Sequence, residues 1–233
     1  MFAFFRPSNR PALSRRLALV LSPVLMSVAL LSAPAHAEET VDAETAAAIN
    51  VTMDYWSSAM PSQFNREWYA PGLFDGGFGY NSLYDGSASN IYCGTTRLSQ
   101  DNAYACESET DNWVAFDVSF MNRSQTLGDA FIYVIVAHEF GHVVQAHLTS
   151  EESWAATELQ ADCFAGSSMR GMVDSGQLQL DAADYYEIDD AFRSIETLPW
   201  GGGGSHGSWE QRTAAFNRGW NGSDSRACLP DSN

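Results

Sequence analysis

An apolar run, Ala130-Phe-Ile-Tyr-Val-Ile-Val136, leads without Gly-Pro punctuation into His138-Glu139-Phe140-Gly141-His142 and on through Val143, Val144 and Ala146 to Leu148. A short apolar run fits a buried strand as well as a buried helix, and length separates the two. The continuous pattern, with Asp129 placed to cap its start, predicts one buried helix over about 129–148. A helix apolar on nearly all sides lies inside a domain, so the fold has to be built round it. Gly141 costs such a helix about 1 kcal/mol relative to Ala, and a glycine there signals a close neighbour.

The polar residues of this helix carry the chemistry. Residues four apart share a helix face, so His138 and His142 can reach one metal ion. Glu139, one position past the first histidine, can reach a metal-bound water. Two neutral imidazoles leave room for a third ligand and a water, the open coordination of a catalytic Zn²⁺ site.

The third ligand is sought downstream. Thr149-Ser150-Glu151-Glu152 has the form of a capping box and predicts a second helix that turns back along the first. Glu158, sixteen residues after His142, then faces the histidines and is the expected third ligand. Asp162 lies one turn further on the same face, placed to accept a hydrogen bond from a ligand histidine. Asp162 and His206 remain alternative ligands.

At this point the chain resembles the bacterial neutral zinc metallopeptidase family. The matching stretches are Tyr133 to Gln145, Glu158 to Gly166 and Ser205 to Arg212, with weaker matches at Asn112 to Phe120 and Tyr69 to Phe74. The resemblance implies a zinc site of two His and one Glu and supplies no substrate. It raises His206, between a glycine loop and a helix, as a residue that donates to an oxyanion or orients substrate; a turn-stabilising bond to backbone is the plainer role. Two departures stand out. Val143 replaces a histidine common after the motif, and the Cys93–Trp113 segment, longer and more polar, reshapes one side of the cleft.

Residues 1–37 have the form of a secretory signal: Arg6, Arg10, Arg15 and Arg16, then an apolar stretch from Leu17 to Ala33, then Ala35-His36-Ala37 as a cleavage site. Cleavage there leaves one domain, 38–233, in a secreted or periplasmic protein without a stable membrane anchor. The chain has no lysine, and beyond residue 37 eight arginines face 29 acidic residues, a net charge of −21. Such a surface argues against nucleic acid and anionic membranes as partners. Four cysteines in an exported chain imply two disulfides, and of three connectivities Cys93–Cys106 with Cys163–Cys228 is favoured. The second would brace the metal site through Cys163, next to Asp162.

Elsewhere, residues 41–59 predict a helix, 61–90 turns with short strands, and 113–117 a strand that would line the cleft by pairing with extended substrate or else lie in the core. Asp181 to Leu198 predicts a further helix. Its acidic run, Asp184, Glu187, Asp189 and Asp190, reads as a solvated face in preference to a calcium site. Tyr185 and Tyr186 are minor oxyanion candidates. Gly201 to Gly204 predicts a flexible loop, and Ser208-x-x-Gln211 caps a last helix carrying Trp209, Phe216 and Trp220. The whole reads as an α+β, zincin-like fold, mostly helical around the metal with a small sheet. The expected activity is hydrolysis of peptide bonds in a peptide or protein substrate by a zinc-activated water, with Glu139 as general base. A zinc-retaining binding or assembly protein and a cell-wall peptide amidase are the alternatives.

Overall fold

The computed structural model describes residues 40–73, 75–77, 81–87, 90–108, 111–197 and 206–231, with backbone alone for 195–197. The proposed signal, 1–37, and the glycine loop, 201–204, lie outside the described residues. The architecture is α+β: six α-helices among the described residues, with two small sheets.

Helix α1, Val41–Phe64, buries Thr45, Ala48, Ile49, Thr52, Trp56, Ala59 and Met60, a stripe at helical spacing. It runs past the expected end at 59 and continues through Pro61, closing where Asn65 turns left-handed (φ 54°) and its N–H reaches the Met60 carbonyl. The sheets follow, built from β1 (Leu83–Tyr84), the β2–β3 hairpin (Tyr92–Cys93, Thr96–Arg97), β4 (Ala103–Glu107) and β5 (Asn112–Asp117). In the three-stranded sheet β5 is central, with β1 parallel on one side and β4 antiparallel on the other. The Cys93–Cys106 disulfide ties the hairpin to β4.

Asp117 ends β5 and caps α2 (Val118–Gln125) by accepting from the Phe120 N–H. Helix α3, Asp129–Gln145, is the buried helix expected from the apolar run, three residues shorter at its C-terminus. Gly128 is its cap, and Asp129 is the first helical residue. It packs against α1, α2, β4 and β5 and against α4 (Thr157–Asp174) and α5 (Asp184–Thr197). Gly141 permits the α3–α4 crossing: a Cβ there would meet the Ala161 carbonyl oxygen at 2.7 Å.

The second helix does not begin at the Thr149 box. Glu152 does accept from the Thr149 N–H and hydroxyl, but this closes only a turn. The backbone that would have continued a helix is held by side chains instead. Gln160 accepts from the Trp154 N–H and donates to the Glu152 carbonyl, while Arg66 pairs with Glu152 at 2.6 Å. Helix α4 therefore starts at Thr157, which puts Glu158 in its first turn, where the helix dipole favours a carboxylate.

Helix α5 starts at Asp184 and not at 181, because Asp181 and Asp184 accept from each other's backbone N–H. Its acidic residues do not act as one group: Asp189 pairs with Arg193, while Asp184 and Glu187 meet Asp129 of α3. Helix α6, Trp209–Asn221, has the full Ser208–Gln211 capping box. It crosses α4 so closely that a Cβ on Gly219 would overlap the Cys163 carbonyl. The Cys163–Cys228 bridge joins α4 to the turn after α6. No helix among the described residues is long and apolar enough to cross a membrane.

Candidate metal centre

Helix geometry places the two histidine rings on one face of α3, and the returning α4 brings its first turn against them. His138 Nε2 and His142 Nε2 lie 3.2 Å apart. Glu158 Oε2 lies 3.3 Å from the first and 3.6 Å from the second. The other ring nitrogens are committed. His138 Nδ1 donates to Asp162 Oδ1 at 2.8 Å, and His142 Nδ1 donates to Gln145 Oε1 at 2.8 Å. A carboxylate and an amide oxygen can only accept, so each Nδ1 carries a proton, and both Nε2 atoms face the same point as the Glu158 oxygen. Once the Nε2 protons are displaced, three lone pairs converge on one point, an arrangement a cation can hold. At separations of 3.2 to 3.6 Å, all three donors are close enough to touch one ion. His138, His142 and Glu158 can thus hold a metal ion.

The surroundings fix this arrangement. Asp162, fully buried, accepts from His138 and, through both oxygens, from Arg212 Nε and Nη2, each at 2.8 Å. Arg212 comes from α6, is 5% exposed, and lies over the Phe192 ring. Burial would push the Asp162 carboxyl up, but the charge and hydrogen bonds of Arg212, with His138, hold it below its ordinary range. Burial likewise works against a charged His138. Asp162, helped by Glu158, overrides it and raises the imidazole to about 10, so metal entry there displaces a proton. Glu158 follows the same pattern: burial is outweighed by His138, His142 and His206, and its carboxyl is held far below the usual range.

On the other histidine, Gln145 is oriented by donating to the Thr157 carbonyl and to Gln160 Oε1. Gln160 in turn donates to the Cys228 carbonyl, so the second disulfide and the metal helices share one polar network. Glu139, 8% exposed, faces the cleft beside the three donors. Burial raises its carboxyl above the ordinary value, and His138 and His142 only partly offset this. His206 donates through Nδ1 to Glu158 Oε2 at 2.9 Å, a side-chain contact where a turn-stabilising histidine would bond backbone.

The cleft over these groups has a volume of about 600 Å³, with β4, α3 and His206 among its walls. Of the two roles open to 113–117, lining the cleft or lying in the core, the structure has the core strand: it is central in its sheet, paired on both sides, with Val114, Ala115 and Phe116 fully buried. The edge strand is β4, from the long Cys93–Trp113 segment. The two tyrosines also stand elsewhere. Tyr185 packs edge-on against Trp220 and Tyr186 is 75% exposed, and neither lines the cleft.

Reading the sequence for ligands passed over Arg212, Gln145 and Gln160. The first two carried a signal: they close the stretches Ser205 to Arg212 and Tyr133 to Gln145 that support the family resemblance. No protein family, curated protein or solved structure matches the chain, so that resemblance rests on those residues alone.

Proposed function

We propose that this protein is a secreted zinc-dependent endopeptidase with a zincin-like fold. The observation that carries the reading is the convergence of two imidazole lone pairs and a carboxylate oxygen at mutual distances of 3.2 to 3.6 Å, with Glu139 beside them in the cleft. A zinc ion bound there would supply Lewis acidity to a carbonyl and acidity to a water. The chain's own residues do the rest. Glu139, whose burial makes it a stronger base, takes a proton from water at its carboxylate and hands it to the departing amine. Asp162 and Arg212 hold the His138 ring, Gln145 holds the His142 ring, and His206 steadies Glu158.

Strand β4 seats the substrate. Asn102 accepts from Asp117 N–H, and Ser108 donates to the Asp111 carbonyl, so the even-numbered residues of β4 face β5. The alternation of an antiparallel ladder then turns the backbone groups of Ala103, Ala105 and Glu107 outward, free to pair with an extended peptide. The two disulfides fit an oxidising compartment.

The test is digestion of an unfolded-protein mixture by the zinc-loaded protein, read by mass spectrometry, with Glu139→Gln beside it at equal zinc content. Wild type is expected to produce new peptides, and Glu139→Gln to lose activity by about 10²–10⁴-fold while keeping its zinc. Equal activity of the two would remove Glu139 from the mechanism. No cleavage by either would favour the binding-protein or cell-wall readings.

A further inference from the structure

Charges along the cleft can be paired off one by one. Among the described residues the charged groups lining it are Glu107, Glu139, Glu158 and Arg212. Arg212 is neutralised by Asp162 behind it. A dication at the three donors would balance Glu139 and Glu158. Glu107 is left over: no described residue gives it an ion-pair partner or a side-chain hydrogen bond, and burial is the sole influence on its carboxyl.

Glu107 also occupies a defined register. It is the last residue of β4, and its outward backbone groups continue the row begun by Ala103 and Ala105. Side chains two apart share a sheet face. Ala103 and Ala105 pack on the main core with α3, whereas Tyr104 packs on the opposite cluster with Tyr84 and Leu98. Glu107 is therefore on the α3 side of the sheet, the side of the metal donors. Two alanines precede it, so the strand offers bulk and charge to a peptide only at this end.

We propose that Glu107 forms a subsite for a cationic side chain, lysine or arginine, of an extended peptide paired with β4. The inference rests on the peptidase reading above and names its substrate class. A peptide residue opposite Glu107 in a β-pair projects to the same face, with Cβ atoms about 4.5–5.5 Å apart, within reach of a lysine or arginine head group. Partial burial against the cleft wall pushes the carboxyl up to about 7, and a cation brought beside it restores the charged form. Such a charge-assisted contact is worth about tenfold to a hundredfold in affinity. The strongly acidic surface, −17 over the whole chain, adds long-range attraction for basic peptides.

The experiment uses zinc-loaded Glu139→Gln protein, titrated with two pools of extended peptides that differ only in carrying lysine or its uncharged counterpart norleucine. The lysine pool is expected to bind at least about tenfold more tightly. That ratio is expected to fall to about one when Glu107→Gln is added, and Glu107→Arg is expected to favour aspartate-containing peptides instead. Equal binding of the two pools, or a lysine preference that survives Glu107→Gln, overturns the subsite. Wild-type digestion run in parallel keeps the two readings apart. Cleavage without preference for basic residues overturns the subsite and leaves the peptidase. Glu107-dependent lysine binding without cleavage supports the subsite and removes the peptidase. Neither binding nor cleavage overturns both.

Discussion

Replacing Arg212 by Met tests the least obvious part of the site. The substitution keeps most of the stem over Phe192 but removes a guanidinium that is 5% exposed and makes both of its bonds to a carboxylate with no solvent access. Asp162 would keep one donor, His138 Nδ1, and lose its counter-ion. Breaking a buried pair on one side costs about 3–5 kcal/mol. At about 2–4 °C per kcal/mol for a domain of this size, the melting temperature of the zinc-free protein should fall by about 6–20 °C. The second consequence is at the metal. With Asp162 driven toward its neutral form, His138 loses the acceptor that fixes its tautomer, and zinc affinity should drop by about 10–100-fold. Competition with a chromophoric chelator measures that directly. Adding Asp162→Leu to Arg212→Met removes both charges, so stability should recover by half or more while zinc affinity stays low. If Arg212→Met shifts melting by less than about 3 °C, near 1 kcal/mol, and leaves zinc affinity unchanged, the pair is not what holds the His138 ring.

Other consequences can be checked independently. Gly141→Ala should destabilise by about 1–3 kcal/mol in chemical denaturation despite the better helix propensity of alanine, because its Cβ would meet the Ala161 carbonyl oxygen at 2.7 Å and α4 must move. Paired Cys→Ala variants should differ: the Cys163–Cys228 bridge closes 65 residues and the Cys93–Cys106 bridge 13, so their loss should cost about 4 and about 3 kcal/mol respectively in the chain-entropy picture. Glu107 gives a pH signature. Its carboxyl is raised, so its contribution is fully present below the ordinary value of 4.5 and is lost as pH rises through about 7. The melting temperature of wild type relative to Glu107→Gln should fall across that window, by a small amount because the side chain is exposed. A difference that is flat with pH would place the Glu107 titration elsewhere.

The grouping of the candidate metal donors was legible because each depends on a short-range rule. A spacing of four puts His138 and His142 on one helical face whatever surrounds the helix, and Glu158 and Asp162 share a face by the same rule. The disulfides were legible because pairing the nearest cysteines leaves only Cys163 and Cys228. Helix starts were less so. The Thr149 box formed its hydrogen bonds without starting a helix, since Gln160 and Arg66 engage the segment after it. Composition alone left Trp113 to Asp117 open between cleft and core; the structure decides for the core, because so apolar a strand is drawn to the centre of a sheet, leaving the more polar 103–107 at the edge.

Local rules alone are enough for the buried helix, the face that His138 and His142 share, the returning carboxylates and the two bridges. These follow from 3.6 residues per turn and from residue chemistry within a few positions. The long-range partners of the site come from the packed fold: Arg212, 50 residues from Asp162; His206, 48 from Glu158; and β4 as the edge beside the cleft. No local periodicity links these pairs. They meet because α6 crosses α4 at Gly219 and α3 crosses α4 at Gly141, and where helices cross is set by the packing of the whole core.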